Sequence, residues 1–246
     1  MSRYEARFAL NGTRAADTVP PMRIAVIVLA AGSGRRLGAG RPKGFVELGG
    51  RPIFAHCLAA FRRIREVADI ILVLPPGEVD RTVKRYGRHL IEGGVSKVVA
   101  GGRRRQDSVE RGLRMADPAC DVILVHDAAR PFVTPELARR VARQAARTGA
   151  AVPGLPVRET VKQVARGRVV TTPERSGLYS VQTPQGIRAP LLRRAYEKGL
   201  GRADATDDVQ LVERLGRPVA LVPGDPGNLK ITSREDLRLA EILLDR

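Results

Sequence analysis

The sequence predicts an α/β fold on a mostly parallel sheet, and three observations carry the prediction. Short, apolar, β-branched runs recur along the chain, and segments with helical spacing fall between them. Glycine, polar and charged residues cluster directly after the runs, at 30–36, 101–108 and 127–130. Sheets of this kind bind ligands at the carboxyl ends of their strands, beside the point where strand order reverses.

Arg23–Leu29 (RIAVIVL) is nearly continuous in apolar residues, as a strand buried on both faces should be. Phe54, Cys57, Leu58 and Phe61 recur at i, i+3, i+4 and i+7, the spacing of one helix face. Ile70–Leu74 repeats the strand signal and is stopped by Pro75-Pro76-Gly77. Lys97–Ala100 is a weaker strand, followed by Gly101-Gly102 and a helix expected from about Asp107. Asp121–Val125 is a strand ending at His126-Asp127. Thr134-Pro135-Glu136 then reads as a helix start, with a capping hydroxyl and proline at the first helical position. Ala150–Val152 and Val219–Val222 are further strands. Ser233-Arg234-Glu235-Asp236 resembles a capping box opening a last helix with Leu239, Ala240, Leu243 and Leu244. Asp207 and Asp208, after Thr206, are expected to decorate a helix N-terminus, where acids suit the dipole.

One segment breaks this rhythm. Within 156–178, Thr160–Ala165 and Val169–Thr172 are strand-like and joined by Arg166-Gly167-Arg168, which predicts a protruding β-hairpin arm. An isolated hairpin is marginal in water, so the arm is expected to pack on a second subunit. The domain reading is an N-terminal extension over 1–22 and one domain over 23–246.

Of 43 basic residues 37 are arginine, and the formal net charge is +17. Such a charge attracts anions, either nucleic acid or phosphorylated small molecules. Aromatics make up 4% of the chain, which leaves few platforms for base stacking. Charge alone therefore names no partner. No apolar stretch approaches the ~18 residues of a membrane span. Cys57 and Cys120 fit neither a disulfide framework nor a zinc site, and a reducing cytoplasm is the expected compartment.

The segment after the first strand, Ala30-Ala31-Gly32-Ser33-Gly34, invites a phosphate-binding reading. A dinucleotide fingerprint fails because the third glycine is displaced by Leu37, and a Walker A loop fails for want of Gly-Lys-Ser/Thr. An ordinary glycine turn would explain the glycines alone. Arg35, Arg36, Arg41 and Lys43 change the balance: glycine lets backbone N–H groups reach oxyanions, and the cations supply countercharge. Pro42 presents Lys43 from a stiff turn.

In order and spacing, a longer series resembles the 2-C-methyl-D-erythritol 4-phosphate cytidylyltransferase family of the non-mevalonate isoprenoid pathway. The series is Leu29–Leu37 with Pro42-Lys43, Gly101-Gly102 with Arg105 and Ser108, and His126–Pro131. It continues with Pro156–Thr160, Glu174–Leu178, Thr183-Pro184-Gln185 and Asn228–Thr232. The likeness covers about 23–246. It implies a Rossmann-like sheet flanked by helices, and transfer of a cytidylyl group from CTP with a divalent ion, normally Mg²⁺. The resemblance further implies that Arg36 and Lys43 stabilise the transition state while Ala30, Ala31, Gly32, Ser33 and Gly34 cradle phosphates. Gly101, Gly102, Arg105, Ser108 and Ala128 fall on the CTP side. Asp127, Arg130, Thr160, Arg175 and Lys230 fall on the acceptor side, with Arg175 and Lys230 also catalytic. Asp127 is the one acid expected near the metal.

For Ser108 a helix-start hydroxyl is the plainer reading, and for Arg175 a solvated charge is. The resemblance also implies a homodimer whose arm completes the neighbour's site. Some members are fused to a downstream cyclase; this chain, whose resemblance runs to Arg246, is expected to be the unfused form. Gly44 stands where the family usually has Gln, which is expected to loosen the loop behind Lys43, and Arg103 is a second departure. The alternatives are a ribitol 5-phosphate cytidylyltransferase on the same scaffold and, from the charge, a nucleic-acid-binding regulator. Nucleic acid and membrane are not expected partners.

Overall fold

The structure, a computed structural model, describes residues 22–32 and 42–244. Nearly all of the expected N-terminal extension lies outside the described residues. So do Ser33, Gly34, Arg35, Arg36 and Arg41 of the first loop.

The first strand, β1 (Ile24–Leu29), alternates its apolar residues between two cores, as the period of a strand requires. Ile24, Val26 and Val28 enter one core; Ala25 and Ile27 enter the other. The short β2 (Glu47–Leu48) and β3 (Arg51–Pro52) pair with each other and lead into α1 (Ile53–Arg62), where Phe54, Cys57, Leu58 and Phe61 are all buried. There follow β4 (Val67–Leu74), α2 (Val79–Glu92), β5 (Lys97–Ala100), α3 (Arg105–Met115) and β6 (Val122–Asp127).

Strands β1, β4, β5 and β6 are parallel, with β4 and β5 on one side of β1 and β6 on the other. Strand order therefore reverses at β1. The crevice belonging to that reversal lies above the carboxyl ends of β1 and β6.

Helix α4 (Pro135–Thr148) is capped as its sequence predicts, with Leu137 N–H donating to Thr134 Oγ1 at 3.2 Å. Strand β7 (Ala150–Pro156) leads into the arm. There β8 (Gln163–Ala165) and β9 (Arg168–Thr171) pair only with each other, and every residue of both is exposed. Arg166 and Gly167 turn the hairpin with φ of 50° and 74°, as a tight two-residue turn between twisted strands requires.

The chain returns through β10 (Tyr179–Val181) and β11 (Gln185–Arg188). Strand β11 inserts antiparallel between β6 and β7, and β10 is antiparallel to β7. Helices α5 (Ala189–Glu197) and α6 (Val209–Arg214), then β12 (Ala220–Pro223) parallel to β7, and α7 (Arg234–Leu244) complete the fold. The sheet is thus mostly parallel with two antiparallel strands.

A third, smaller core fixes the segment before α7. Leu229 and Ile231 pack with Val46, Leu48, Ile53 and Ala240. The box at the start of α7 closes both ways: Ser233 N–H donates to Asp236 Oδ2 at 2.8 Å, and Asp236 N–H donates to Ser233 Oγ at 3.1 Å.

Candidate active site

A cleft of about 650 Å³ opens above the carboxyl ends of β1 and β6. Every described residue expected on the CTP side lines it except Gly101, and Lys43, Asp127 and Lys230 line it too.

Among the residues expected on the nucleotide side, the chain leaves β1 under restraint. Ala30 N–H donates to Val73 O at 2.8 Å, and Lys43 N–H donates to Gly32 O at 3.2 Å, so the two ends of the glycine loop after β1 are joined. Gly44 does not loosen this joint. It is buried, and a Cβ built there would lie 3.0 Å from Ala30 Cβ; the missing side chain lets the strand exit and the Lys43 turn close on each other.

Gly101 serves a similar end, since a Cβ there would fall 2.9 Å from Ala31 Cβ and 3.1 Å from Leu74 O. Ser108 is more than a helix-start hydroxyl. It is buried inside α3, accepts from Gly102 N–H at 3.1 Å and donates to Arg104 O at 3.2 Å, so it holds the glycine turn. Helix α3 starts two residues before the expected Asp107 because Asp107 reaches back to Arg104 N–H at 3.0 Å instead of capping the helix itself. Arg103 is exposed and lines the cleft, whereas Arg104 pairs with Asp107 and donates to Gly201 O at 3.1 Å.

Among the residues expected on the acceptor side, Asp127 ends β6 between two cations. Arg105 reaches Oδ1 through Nε at 3.3 Å and Nη2 at 3.2 Å, and Lys230 Nζ reaches Oδ2 at 2.8 Å. Burial alone would raise the Asp127 carboxyl, but Arg105 and Lys230 outweigh it and hold the group below the ordinary aspartate range. Arg105 is gripped more closely by Asp208, at 2.8 Å and 2.7 Å. Asp208 sits at the N-terminus of α6 as expected, but its side chain makes no cap bond; it is 1% exposed and pairs with a cleft residue. Asp207 keeps the expected role, accepting from Gln210 N–H at 3.0 Å.

Beneath Asp127 runs a hydrogen-bonded chain. Asp127 N–H donates to Thr183 Oγ1 at 3.1 Å, Thr183 Oγ1 donates to His126 Nδ1 at 3.2 Å, and His126 Nε2 donates to Arg130 O at 3.1 Å. The carbonyl can only accept, which fixes the Nε2–H tautomer. His126 is fully buried against Phe61, and burial lowers its pKa to about 4 although Asp127 beside it works the other way.

Arg130 does not line the cleft. Its guanidinium donates to Asn228 O at 2.8 Å and Val181 O at 3.4 Å. Thr160 and Arg175 are exposed on the arm segment and away from the cleft lining of their own chain, and Arg175 donates to Arg158 O. The buried supports His126, Gln185 and Asp208 were not among the expected site residues. For His126 and Gln185 the signal lay in motif context, His126-Asp127 and Thr183-Pro184-Gln185, rather than in hydrophobic pattern; Asp208 had none.

A cleft edged by glycine turns and cations, with one carboxylate pinned between Arg105 and Lys230, suits a nucleoside triphosphate and a second anionic substrate. Comparison with known proteins agrees. A family model described as 2-C-methyl-D-erythritol 4-phosphate cytidylyltransferase matches residues 24–246. A protein of that name from Frankia casuarinae is 48% identical over 227 residues, covering 91% of this chain and 82% of that one. Another of that name from Alkaliphilus metalliredigens is 40% identical over 230 residues, covering 91% and 94%. The crystal structure of 2-C-methyl-D-erythritol 4-phosphate cytidylyltransferase from Thermus thermophilus superposes with a TM-score of 0.74 at 41% identity, covering 92% of this chain and all of that one. The chain belongs to the 2-C-methyl-D-erythritol 4-phosphate cytidylyltransferase family.

Proposed function

We propose that this cleft transfers the cytidylyl group of CTP to 2-C-methyl-D-erythritol 4-phosphate, releasing pyrophosphate. The observation that carries the assignment of roles is Asp127, held between Arg105 and Lys230 at the mouth of the glycine-lined cleft. An oxygen of the acceptor phosphate attacks the α-phosphorus in line. The new bond joins that oxygen to phosphorus, and the bond to the β-phosphate oxygen breaks. No protein nucleophile is needed, so the residues position the reactants and neutralise spreading charge.

Lys43 is assigned to the triphosphate, together with Arg36 and the N–H groups of 31–34, the N–H of Ala30 being spent on Val73 O. Gly101, Gly102 and Ser108 shape the nucleoside side. Lys230 meets the acceptor phosphate and Asp127 its hydroxyl groups. Arg130 braces Asn228 and Val181, and it reaches a phosphate only by exchanging those carbonyl bonds. Thr160 and Arg175 are assigned to the neighbouring chain's cleft, in a homodimer formed through the arm; exposed Val164, Val169 and Val170 support that assembly.

A divalent ion fits this donor set only if the triphosphate carries most of its ligands. Among the described residues no group of three or more His, Cys, Asp or Glu side chains could hold one, and both oxygens of Asp127 are already engaged. When bound, Mg²⁺ would offset charge on the phosphates, with Asp127 its one candidate protein ligand. The proposed compartment is the cytoplasm: both cysteines are buried and free, and no described helix is long and apolar enough to cross a membrane.

The test is pyrophosphate release, measured with four nucleoside triphosphates against methylerythritol phosphate and ribitol 5-phosphate. Turnover is expected with CTP and methylerythritol phosphate; turnover with ribitol phosphate alone would overturn the acceptor. Lys43→Ala should remove most turnover with the fold intact, and near-normal rates would take Lys43 out of the mechanism.

A further inference from the structure

We propose that Asp208 is a positioning residue for the transfer: it holds Arg105 in the one orientation that aims Asp127 at the acceptor. This rests on the assignment of Asp127 to the acceptor made above.

Three elements meet at this point. Asp127 ends β6, Arg105 opens α3, and Asp208 immediately precedes α6. The Arg105 fork lies squarely on Asp208, Nη1 to Oδ1 at 2.8 Å and Nη2 to Oδ2 at 2.7 Å. Its bonds to Asp127 are longer, 3.3 Å and 3.2 Å, and both fall on one oxygen. Arg105 is thus seated on Asp208 and lends its remaining donors to Asp127. Exposure follows the same order: the Asp208 side chain is 1% exposed and that of Asp127 15%.

The seat itself is fixed from the sheet. Asp208 N–H donates to Gln185 Oε1 at 2.8 Å, Val209 N–H donates to the same atom at 3.2 Å, and Gln185 Nε2 donates to Asp207 Oδ2 at 3.1 Å. Gln185 is itself buried on β11.

Stability alone is a poor reason for such a pair. A buried ion pair is often no better than an apolar contact of the same volume, because desolvation consumes the Coulombic gain. Orientation is a better reason. Without the carboxylate of Asp208, the guanidinium keeps its charge but loses its fixed end, and nothing then holds its fork in register with Asp127. Asp127 would then lose one of its two side-chain restraints and be held by Lys230 alone.

The test compares Asp208→Asn with the wild type in steady-state turnover and in a crystal structure. Asn keeps the shape and removes the charge. The KM for methylerythritol phosphate is expected to rise about tenfold or more, as misplacement of a contacting group by ~1 Å does, while the KM for CTP changes by less than about threefold. In an Arg105→Gln background, Asp208→Asn should add less than about twofold, because Asp208 acts only through Arg105. Equal rises in both KM values with a lower melting temperature, or penalties that multiply in the double variant, would overturn the proposal.

The crystal structure reads the positioning whatever the acceptor: Arg105 is expected to leave Asp127, and a guanidinium still seated on Asp127 overturns the proposal. Displacement of Arg105 with unchanged acceptor KM would instead sink the assignment of Asp127, and the catalytic part of the proposal with it. If Asp208→Asn does not fold, Arg105→Lys serves in its place. It keeps one charge but cannot fork onto both carboxylates, and an unchanged acceptor KM there overturns the proposal.

Discussion

At the carboxyl end of β6 and in the turn after it, almost every group that could wander is tied. Asp127 is held through both carboxylate oxygens and its own N–H, His126 through both ring nitrogens, and Arg130 through two carbonyls. In the arm, β8 and β9 hold only each other, and Val164, Val169 and Val170 face outward with more than half their surface exposed. Both regions are assigned to the same reaction. The contrast sets a site whose side chains are tied before substrate arrives against an element whose apolar side chains are left for the proposed second chain to cover.

The comparison breaks first at Lys230. Lys230→Met leaves Asp127 paired with Arg105 but removes a preorganised cation, and kcat/KM should fall by about 10²–10³ with little change in melting temperature. Turnover within threefold of the wild type would mean that the tied loop does not serve catalysis.

The next test reads how deeply that loop depends on burial. His126 is neutral in the folded chain, with its pKa lowered from 6.5 to about 4. An unfolded chain takes up that proton below about 6.5. The contribution of His126 is therefore complete above pH 6.5 and is lost as pH falls toward 4, amounting to about 2–3 kcal/mol by linkage. Urea denaturation at pH 7 and pH 4.5 should show this loss in the wild type and a smaller one in His126→Gln. Asp127 does not confuse the reading, since its ordinary value of 3.8 lies below this window. His56, also lowered by burial, contributes to both proteins alike.

The arm should respond in the opposite way. Val169→Asp puts a charge where apolar surface is meant to be covered. It should turn a sedimenting dimer into monomer and cut turnover by at least about tenfold, with the melting temperature of the main body nearly unchanged. A variant that remains dimeric, or a fully active monomer, would erase the contrast.

The smallest effect is expected at Gly44. Gly44→Ala forces a methyl to 3.0 Å from Ala30 Cβ, both on backbone with little freedom to move. A cost of about 1 kcal/mol and a rise of a few-fold in the KM for CTP should follow. A neutral substitution would show slack between the strand exit and the Lys43 turn.

The legible part of this molecule is the part whose chemistry is written in pattern. Ile24–Leu29, Ile70–Leu74 and Val122–Val125 are continuous apolar runs because α-helices cover both faces, and each reads as a strand. Thr134 and Ser233 announce their helices by capping chemistry. Strand β11 is not legible. Its Gln185 is buried for its hydrogen bonds, and Gly186 for the approach of Val141 and Ala145, which a Cβ would meet at 2.9 Å and 3.0 Å. Helix α2 is faintly marked: Val79, Tyr86 and Leu90 fall on one face and pack with the first core, but only Thr82 and Leu90 of its fourteen residues are buried. Within the site, Asp127 and Lys230 can be named from motif. The tie between Asp208 and Arg105 cannot, since it joins residues 103 positions apart.

The segment from Gln182 to Gln185 sets a limit on how this chain can change length. Gln182 exchanges hydrogen bonds with Asp225, Thr183 receives Asp127 and Asn228, and Gln185 receives the start of α6. Each of the three residues serves a different part of the chain, and alternation then carries Ile187 into the core. One residue added or removed here would reverse the faces of β11, turning Ile187 outward and Gln185 away from Asp208. A residue added in the hairpin before Tyr179, where β8 and β9 pair only with each other, would leave every one of these hydrogen bonds in place.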